Sequence, residues 1–245
     1  MKKTKDVFKM KKIMIVNTSY DQFDGFDLPT GLWLSELVHF YDVFQNNPNY
    51  QLDIYNINGG DTPIDPVSMN KVTLDRLTKK YYEDETFMRK LHDSPSIDEA
   101  DVTQYDVIYF TGGHGVMYDF RGHDTIARAV NDIYDRGGLV SSVCHGASAL
   151  LEIKRPNDHF LIEGQKLTGF SNREESIARR KKQVPYQLET ALKEKGALYQ
   201  KSALYQKSII PLKSFVVEEE QLITGQNPAS ARDVGEAIKL RLDVK

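Results

Sequence analysis

Three short runs set the limits on this fold: residues 12–17 (KIMIVN), 105–111 (YDVIYFT) and 139–144 (LVSSVC). Each is bounded by polar or turn residues and lacks the alternation of a strand with one wet face, so each reads as a strand buried on both sides, as in a parallel sheet. Parallel neighbours need long crossovers, and helices usually supply them. Residues 30–44 (TGLWLSELVHFYDVF) place Leu34, Leu37, Val38 and Tyr41 at helical spacing with Thr30 as the expected N-cap, and residues 124–135 form a second helical stretch closed by Gly137-Gly138. Residues 51–57 alternate like a strand and stop at Gly59-Gly60-Asp61. Further on, strands are expected over 165–170, 213–217 and 221–224, and helices over 147–153, 187–195 and 228–242. This order predicts an open α/β sheet with helices on both faces and a ligand site at the carboxyl ends of its strands.

One region departs from the pattern. Residues 62–101 are polar and charged, carry Pro63, Pro66 and Pro95, and have a helical middle, which marks them as a cap or insertion within a single domain spanning 1–245. A second irregularity is Ala197-Leu-Tyr-Gln-Lys-Ser202, repeated without change as Ala203-Leu-Tyr-Gln-Lys-Ser208. A copy this short is no solenoid unit and reads as a duplication in a surface loop. The charge balance, 32 Lys and Arg against 35 Asp and Glu, gives no basic field for nucleic acid. The basic start MKKTKDVFKMKK is followed only by Ile13-Met-Ile-Val16, too short for a signal peptide, and no apolar run is long enough to span a membrane, so a cytoplasmic protein is expected.

The chain has one cysteine, which rules out an intrachain disulfide and a cysteine-based zinc cluster. In Ser142-Val-Cys-His-Gly146 it stands where a buried strand meets a helix, with small residues two positions to either side. That is the spacing of a nucleophile elbow, whose tight turn lifts the central side chain out of the sheet. A helix amino terminus under Cys144 would favour its thiolate, so its pKa is expected to fall below the free-thiol value. The plainer reading is a small apolar core residue. His145, likewise, either turns toward the thiol or simply bonds backbone. Thr111-Gly-Gly-His-Gly115 lies at the same end of the sheet, where its glycines could offer N–H groups to an oxyanion, but it lacks the spacing of a phosphate-binding loop. By periodicity Glu36 faces either core or water. Glu174 and Glu175 suit the opening of a helix, and Arg179-Arg-Lys-Lys182 a solvated helix face.

Together the motifs resemble the ThiJ/PfpI superfamily, and within it the branch of glutathione-independent glyoxalases (glyoxalase III) and heat-shock holding chaperones. Those carrying the resemblance are Thr30-Gly-Leu-Trp-Leu-Ser-Glu-Leu37, Tyr41-Asp-Val-Phe44, Gly59-Gly60 with Pro63-Ile-Asp-Pro66, Thr111-Gly-Gly-His-Gly115, Val143-Cys-His-Gly146, Thr168-Gly-Phe-Ser-Asn-Arg-Glu-Glu175 and Leu222-Ile-Thr-Gly-Gln-Asn-Pro-Ala-Ser230. They run in order over nearly the whole chain. Two departures are Phe40 where the family commonly has proline, and Ala147-Ser148 where the elbow usually continues Pro-Ala.

The resemblance implies a flavodoxin-like three-layer sandwich with a mostly parallel sheet, usually assembled as a homodimer. It implies Cys144 as nucleophile, His145 as its acid-base neighbour, Glu175 as the residue orienting His145 with Glu174 as the alternative, and Glu36 as the carboxyl against the thiol. Gly112 and Gly113, with the backbone N–H of His145, match the oxyanion and substrate-binding positions. The implied reaction converts methylglyoxal or a similar 2-oxoaldehyde to a 2-hydroxy acid through a hemithioacetal, with no metal or organic cofactor. A Cys-dependent amidase, peptidase or deglycase, and a holding chaperone for unfolded clients, are the competing implications.

Overall fold

The computed structural model describes residues 10–202 and 213–244. The central sheet has six strands: β1 (Lys11–Asn17), β2 (Tyr50–Asn56), β3 (Val107–Phe110), β4 (Leu139–Val143), β7 (Val216–Glu219) and β8 (Leu222–Gly225), in the order β2-β1-β3-β4-β8-β7. All neighbours are parallel except the edge pair β7–β8. The unalternating runs are buried as their composition requires: every side chain of β3 and Ile13–Val16 of β1 is sealed from solvent. Register is set as Ile13 opposite Leu52 and Val107, Phe110 opposite Ser142, and Val143 opposite Gly225.

Successive β3 residues show the two covered faces. The Tyr109 ring stacks on Phe40 of α1 (Leu34–Phe44) at 3.7 Å, while Phe110 meets Phe120 on the opposite side at 5.6 Å. Helix α8 (Ala231–Asp243) packs beside α1, and α5 (Asp124–Asp135) lies on β3 and β4. This is the flavodoxin-like α/β fold. Its strand order reverses direction between β1 and β3, which places a crevice at the carboxyl ends of β1, β3 and β4. Residues 62–101 hold α2 (Arg76–Tyr82) and α3 (Glu85–His92), capped by Asp75 and Asp84, and pack aromatically on α1 through Tyr41, Tyr81 and Phe87. Among the described residues no helix is long and apolar enough to cross a membrane.

Several local expectations are corrected. Helix α1 begins at Leu34 with Trp33 as N-cap, because Thr30 is spent in a buried loop on Asp65. The stretch after Cys144 is a 3-10 run, Cys144–Leu150, rather than an α-helix. The expected strand over 165–170 shortens to β5 (Lys166–Leu167), which leaves the main sheet to pair in parallel with β6 (Leu198–Tyr199). Thus the first copy of the repeat carries a strand, and Tyr199 donates its hydroxyl to the Gly169 carbonyl at 2.7 Å; the second copy, 203–208, lies outside the described residues. The edge strand β7 starts later than expected, at Val216. Arg179-Arg-Lys-Lys182 is no helix face: Arg179 ends α6 (Asn172–Ala178) in the left-handed region, and Arg180 lies over the Phe23 ring at 5.6 Å.

Candidate active site

The elbow is built from β4. Val143 is still extended, and Cys144 turns into the left-handed region at φ 57, a conformation that costs a non-glycine residue energy and recurs at functional turns. Small flanks are obligatory there: a Cβ at Gly146 would sit 2.5 Å from the carbonyl oxygens of both Phe110 and Thr111. The backbone also closes on itself, with Phe170 N–H donating to the Cys144 carbonyl at 3.1 Å.

His145 turns its ring beside the thiol. Its Nδ1 is 3.4 Å from Cys144 Sγ, and its Nε2 is 2.7 Å from Glu175 Oε2. Since an ionised carboxylate only accepts, Nε2 carries the hydrogen and Nδ1 presents its lone pair to the sulfur. Burial, and then the charge of His114, push His145 down to about 4 against the pull of Glu175, so the ring is neutral at neutral pH. Glu175 is itself buried, yet the imidazoles of His145 and His114 hold it well below the usual carboxylate range. Glu174 is occupied elsewhere: it closes the capping box with Ser171 and accepts from Gln226 at 2.9 Å and Asn227 at 3.0 Å. Of the two adjacent acids, Glu175 faces the histidine.

Glu36 enters from the first turn of α1 and is fully buried. Its carboxyl neighbours are the Cys144 thiol and the Gly112 N–H, neither at full hydrogen-bond geometry. Burial raises it to about 8. The thiol is pushed up as well, first by burial and then by a charged Glu36, with the His145 N–H opposing. This is opposite to the expected fall. A 3-10 turn buried under a carboxylate replaces the open helix terminus that expectation assumed. The two acids titrate as a pair. When Glu36 keeps its proton its repulsion of the sulfur disappears, and the Nδ1 of His145 is placed to take the thiol proton.

Gly112 separates acid from sulfur. A Cβ there would lie 2.4 Å from Glu36 Oε2 and 2.9 Å from Cys144 Cβ. Gly113, at φ 100, lies against Gly31 and Trp33, and its N–H donates to nothing among the described residues. The His145 N–H faces the sulfur, while the Gly112 N–H is directed at Glu36.

The sequence reading weighed only the glycines of Thr111-Gly-Gly-His-Gly115 and passed over His114. Its Nε2 is 2.9 Å from Glu175 Oε1, and its ring packs 4.3 Å from that of His145, centroid to centroid. One carboxylate therefore receives two imidazole N–H groups. The ligand atoms of His114, His145 and Glu175 lie within 4.8 Å of one another and are the group able to hold a cation, but as placed they are a balanced set of donors and acceptor.

A flavodoxin-like sheet with a strained cysteine at the end of β4 and a carboxyl brought to it from α1 defines a class of cysteine-centred α/β proteins. The chain belongs to the DJ-1/PfpI family, whose model matches residues 34–239. Among solved structures it is similar to the Rapid Encystment Protein 24 KDa of Francisella tularensis, with 38% identity, TM-score 0.88 and coverage of 95% of this chain and 99% of that one. It is similar also to glyoxalase III of Candida albicans, with 26% identity, TM-score 0.83 and coverage of 95% and 97%. A glutathione-independent glyoxalase of Saccharomyces cerevisiae is 25% identical over 229 residues, 90% of this chain and 93% of that protein.

Proposed function

We propose that this chain is a glutathione-independent glyoxalase that converts methylglyoxal or a related 2-oxoaldehyde to the 2-hydroxy acid, with Cys144, His145, Glu36 and Glu175 as its working residues. The observation that carries this reading is the placement of Glu36 against Cys144 across Gly112. An acyl-transfer enzyme needs only the thiol, a base and an oxyanion site. A carboxyl on the other side of the sulfur supplies what an internal redox reaction needs, a group that takes a proton from one carbon and returns it to the next.

In this reading Cys144 gives its proton to His145 Nδ1 as the sulfur adds to the aldehyde carbon. The new oxygen is held by the N–H groups of Gly113 and His145, and the imidazolium returns the proton to it. Ionised Glu36 then removes the carbon-bound hydrogen, and the electron pair moves through an enediol to the adjacent carbonyl. As Glu36 returns that proton to the second carbon, the first oxygen gives its proton back to His145 Nδ1, which leaves a 2-hydroxy thioester that water hydrolyses to free the thiol. A pKa of about 8 suits this shuttle, since a group near the working pH both accepts and releases readily.

The test is methylglyoxal with purified protein and no added thiol, following 2-hydroxy acid formation. Turnover that disappears in Cys144→Ala supports the reading, and hydrolysis of amide or ester substrates with no 2-oxoaldehyde turnover replaces it with a Cys-dependent hydrolase. Assembly as a homodimer belongs to the same proposal and is read by sedimentation velocity.

A further inference from the structure

The reaction just described leaves one oxygen without a partner. When the hydrogen leaves the first carbon, charge develops on the oxygen of the second, and an enediol forms only if that oxygen is protonated. Glu36 is then carrying the hydrogen from carbon, and the Gly113 and His145 N–H groups are on the first oxygen. We propose that His114 is a further catalytic residue, the general acid that protonates the second carbonyl oxygen, a proton that stays in the product as its 2-hydroxyl and is replaced on the ring from solvent. The assignment rests on the glyoxalase reading.

Three features of His114 carry it. Its Nε2–H is fixed on Glu175 Oε1 at 2.9 Å, which sets the tautomer and aims Nδ1 away from the carboxylate. That Nδ1 makes no hydrogen bond among the described residues, and it is not one of the sealed, unpartnered polar atoms, so some of this nearly buried ring's contact with solvent is at that nitrogen. Finally, the ring packs tilted on that of His145, 4.3 Å away at 43°, framed by Phe23 at 5.4 Å and Phe170 at 6.3 Å. It stands at the site that handles the thiol, with its free nitrogen unclaimed.

The shared carboxylate divides the work. Two imidazoles at this separation, on one negative charge, do not both charge at once. The more enclosed ring, His145, with 2% of its side chain exposed against 8% for His114, stays neutral and serves as base to the sulfur. His114 is the less enclosed of the two rings, and its outward edge exchanges protons with solvent. The proton balance closes: Glu36 carries the hydrogen from the first carbon to the second, the proton from His114 remains as the product's 2-hydroxyl, and the first oxygen gives its proton back to His145 as the thioester forms.

The experiment compares wild type, His114→Gln and His114→Ala on methylglyoxal. Glutamine places an amide N–H where Nε2–H stood, so the bond to Glu175 survives and only the outward nitrogen is lost. Expected is a fall in kcat of about 100-fold or more with KM within about threefold, alkylation of Cys144 by iodoacetamide at near the wild-type rate, and partial recovery of His114→Ala turnover by added imidazole. Retention of kcat by His114→Gln beside an active wild type overturns the role of His114 alone. So does a fall of kcat and alkylation in equal proportion, which would mean that His114 acts only through Glu175, and so does a failure of imidazole to rescue. If the wild type turns over no 2-oxoaldehyde, the glyoxalase reading falls and takes this assignment with it, a result marked by the wild type itself being silent.

Discussion

Replacing Gly112 by alanine places a methyl group between the acid and the sulfur, and the geometry says how it is accommodated. The added carbon would stand 2.4 Å from Glu36 Oε2, 2.9 Å from Cys144 Cβ and 2.9 Å from the Val143 carbonyl oxygen. The last two belong to the elbow and are held by the sheet, so the carboxyl must yield. It has to retreat by 0.6 Å (3.0 less 2.4) to escape outright overlap, and by about 1 Å to reach ordinary contact. Crowding a sealed site in this way costs about 1–3 kcal/mol, a fall in Tm of roughly 2–12 °C for a chain of this size. A 1 Å displacement of a reacting group costs about 100-fold in rate. The assay is kcat on methylglyoxal with Tm measured in parallel, and the control is Gly164→Ala. Gly164 has φ +73 and nothing within 4 Å of an added Cβ, so that variant bears backbone strain of about 1–2 kcal/mol with no reason to lose activity. If Gly112→Ala lost Tm but kept wild-type kcat, the carboxyl would not need its place against the sulfur, and the proton-shuttle argument would be refuted.

Glu36→Gln should reduce 2-oxoaldehyde turnover by about 10²- to 10⁴-fold, read in the same assay, while leaving the fold intact. It should also change how stability varies with pH. The folded pKa of about 8 exceeds the usual carboxylate value of 4.5, so the native state holds the extra proton across that window, and the contribution of Glu36 to wild-type stability falls as pH rises through it, by about 1.4 kcal/mol per pH unit at most. Glu36→Gln lacks this slope, and its Tm advantage over wild type should grow from pH 5 to 8. On the acid side His145, lowered to about 4, and Glu175, held low by its histidines, each contribute stability that is lost as pH falls; between about pH 6.5 and 4.5 the His145 loss offsets the Glu36 gain, so wild-type Tm should be nearly level there and drop below about pH 4.5, and Glu175→Gln should flatten part of that drop. Glu174→Ala should lower stability by about 1–3 kcal/mol in chemical denaturation, because it removes one acceptor each from Ser171, Gln226 and Asn227, with kcat of the folded protein within a fewfold of wild type; Glu175→Gln should do the reverse, losing turnover more than stability.

The parts of this fold legible in the sequence were those with a single physical solution. Runs such as Ile13-Met-Ile-Val16 can only be buried on both faces, and a cysteine flanked at two positions by Ser142 and Gly146 suits a turn with no room for bulk. Glu36 was not legible from periodicity, since α1 buries Leu34, Ser35, Glu36, Leu37 and Val38 in succession and so has no wet face there to define its orientation. Only the family resemblance pointed inward. The choice between Glu174 and Glu175 depended on a one-residue phase of α6 that the capping box at Ser171 settles. The thiol's shift was misjudged because its first cause is complete burial and its second is Glu36, more than a hundred positions away along the chain, and neither shows in the local helix-terminus pattern. His114 was within reach: a histidine between glycines at the end of a buried strand has few neighbours of its own, and its partner comes from elsewhere in the fold.

The extended stretch leading into α1 is clamped on both edges. On one side Trp33 N–H bonds the Gly112 carbonyl at 3.1 Å; on the other, Leu32 exchanges bonds with Pro63 and Asp65 at 2.8 and 2.9 Å. Gly31 and Gly113 allow these backbones to approach so closely that a Cβ at either would collide with the next. The position of Glu36 is thus gauged between two references, the elbow side and residues 63–65, and neither includes α2 or α3. A lineage is then freer to rewrite residues 70–101, and with them whatever those helices meet, without recalibrating the distance between acid and sulfur, whereas a single inserted residue between Gly31 and Leu34 would shift that distance at once.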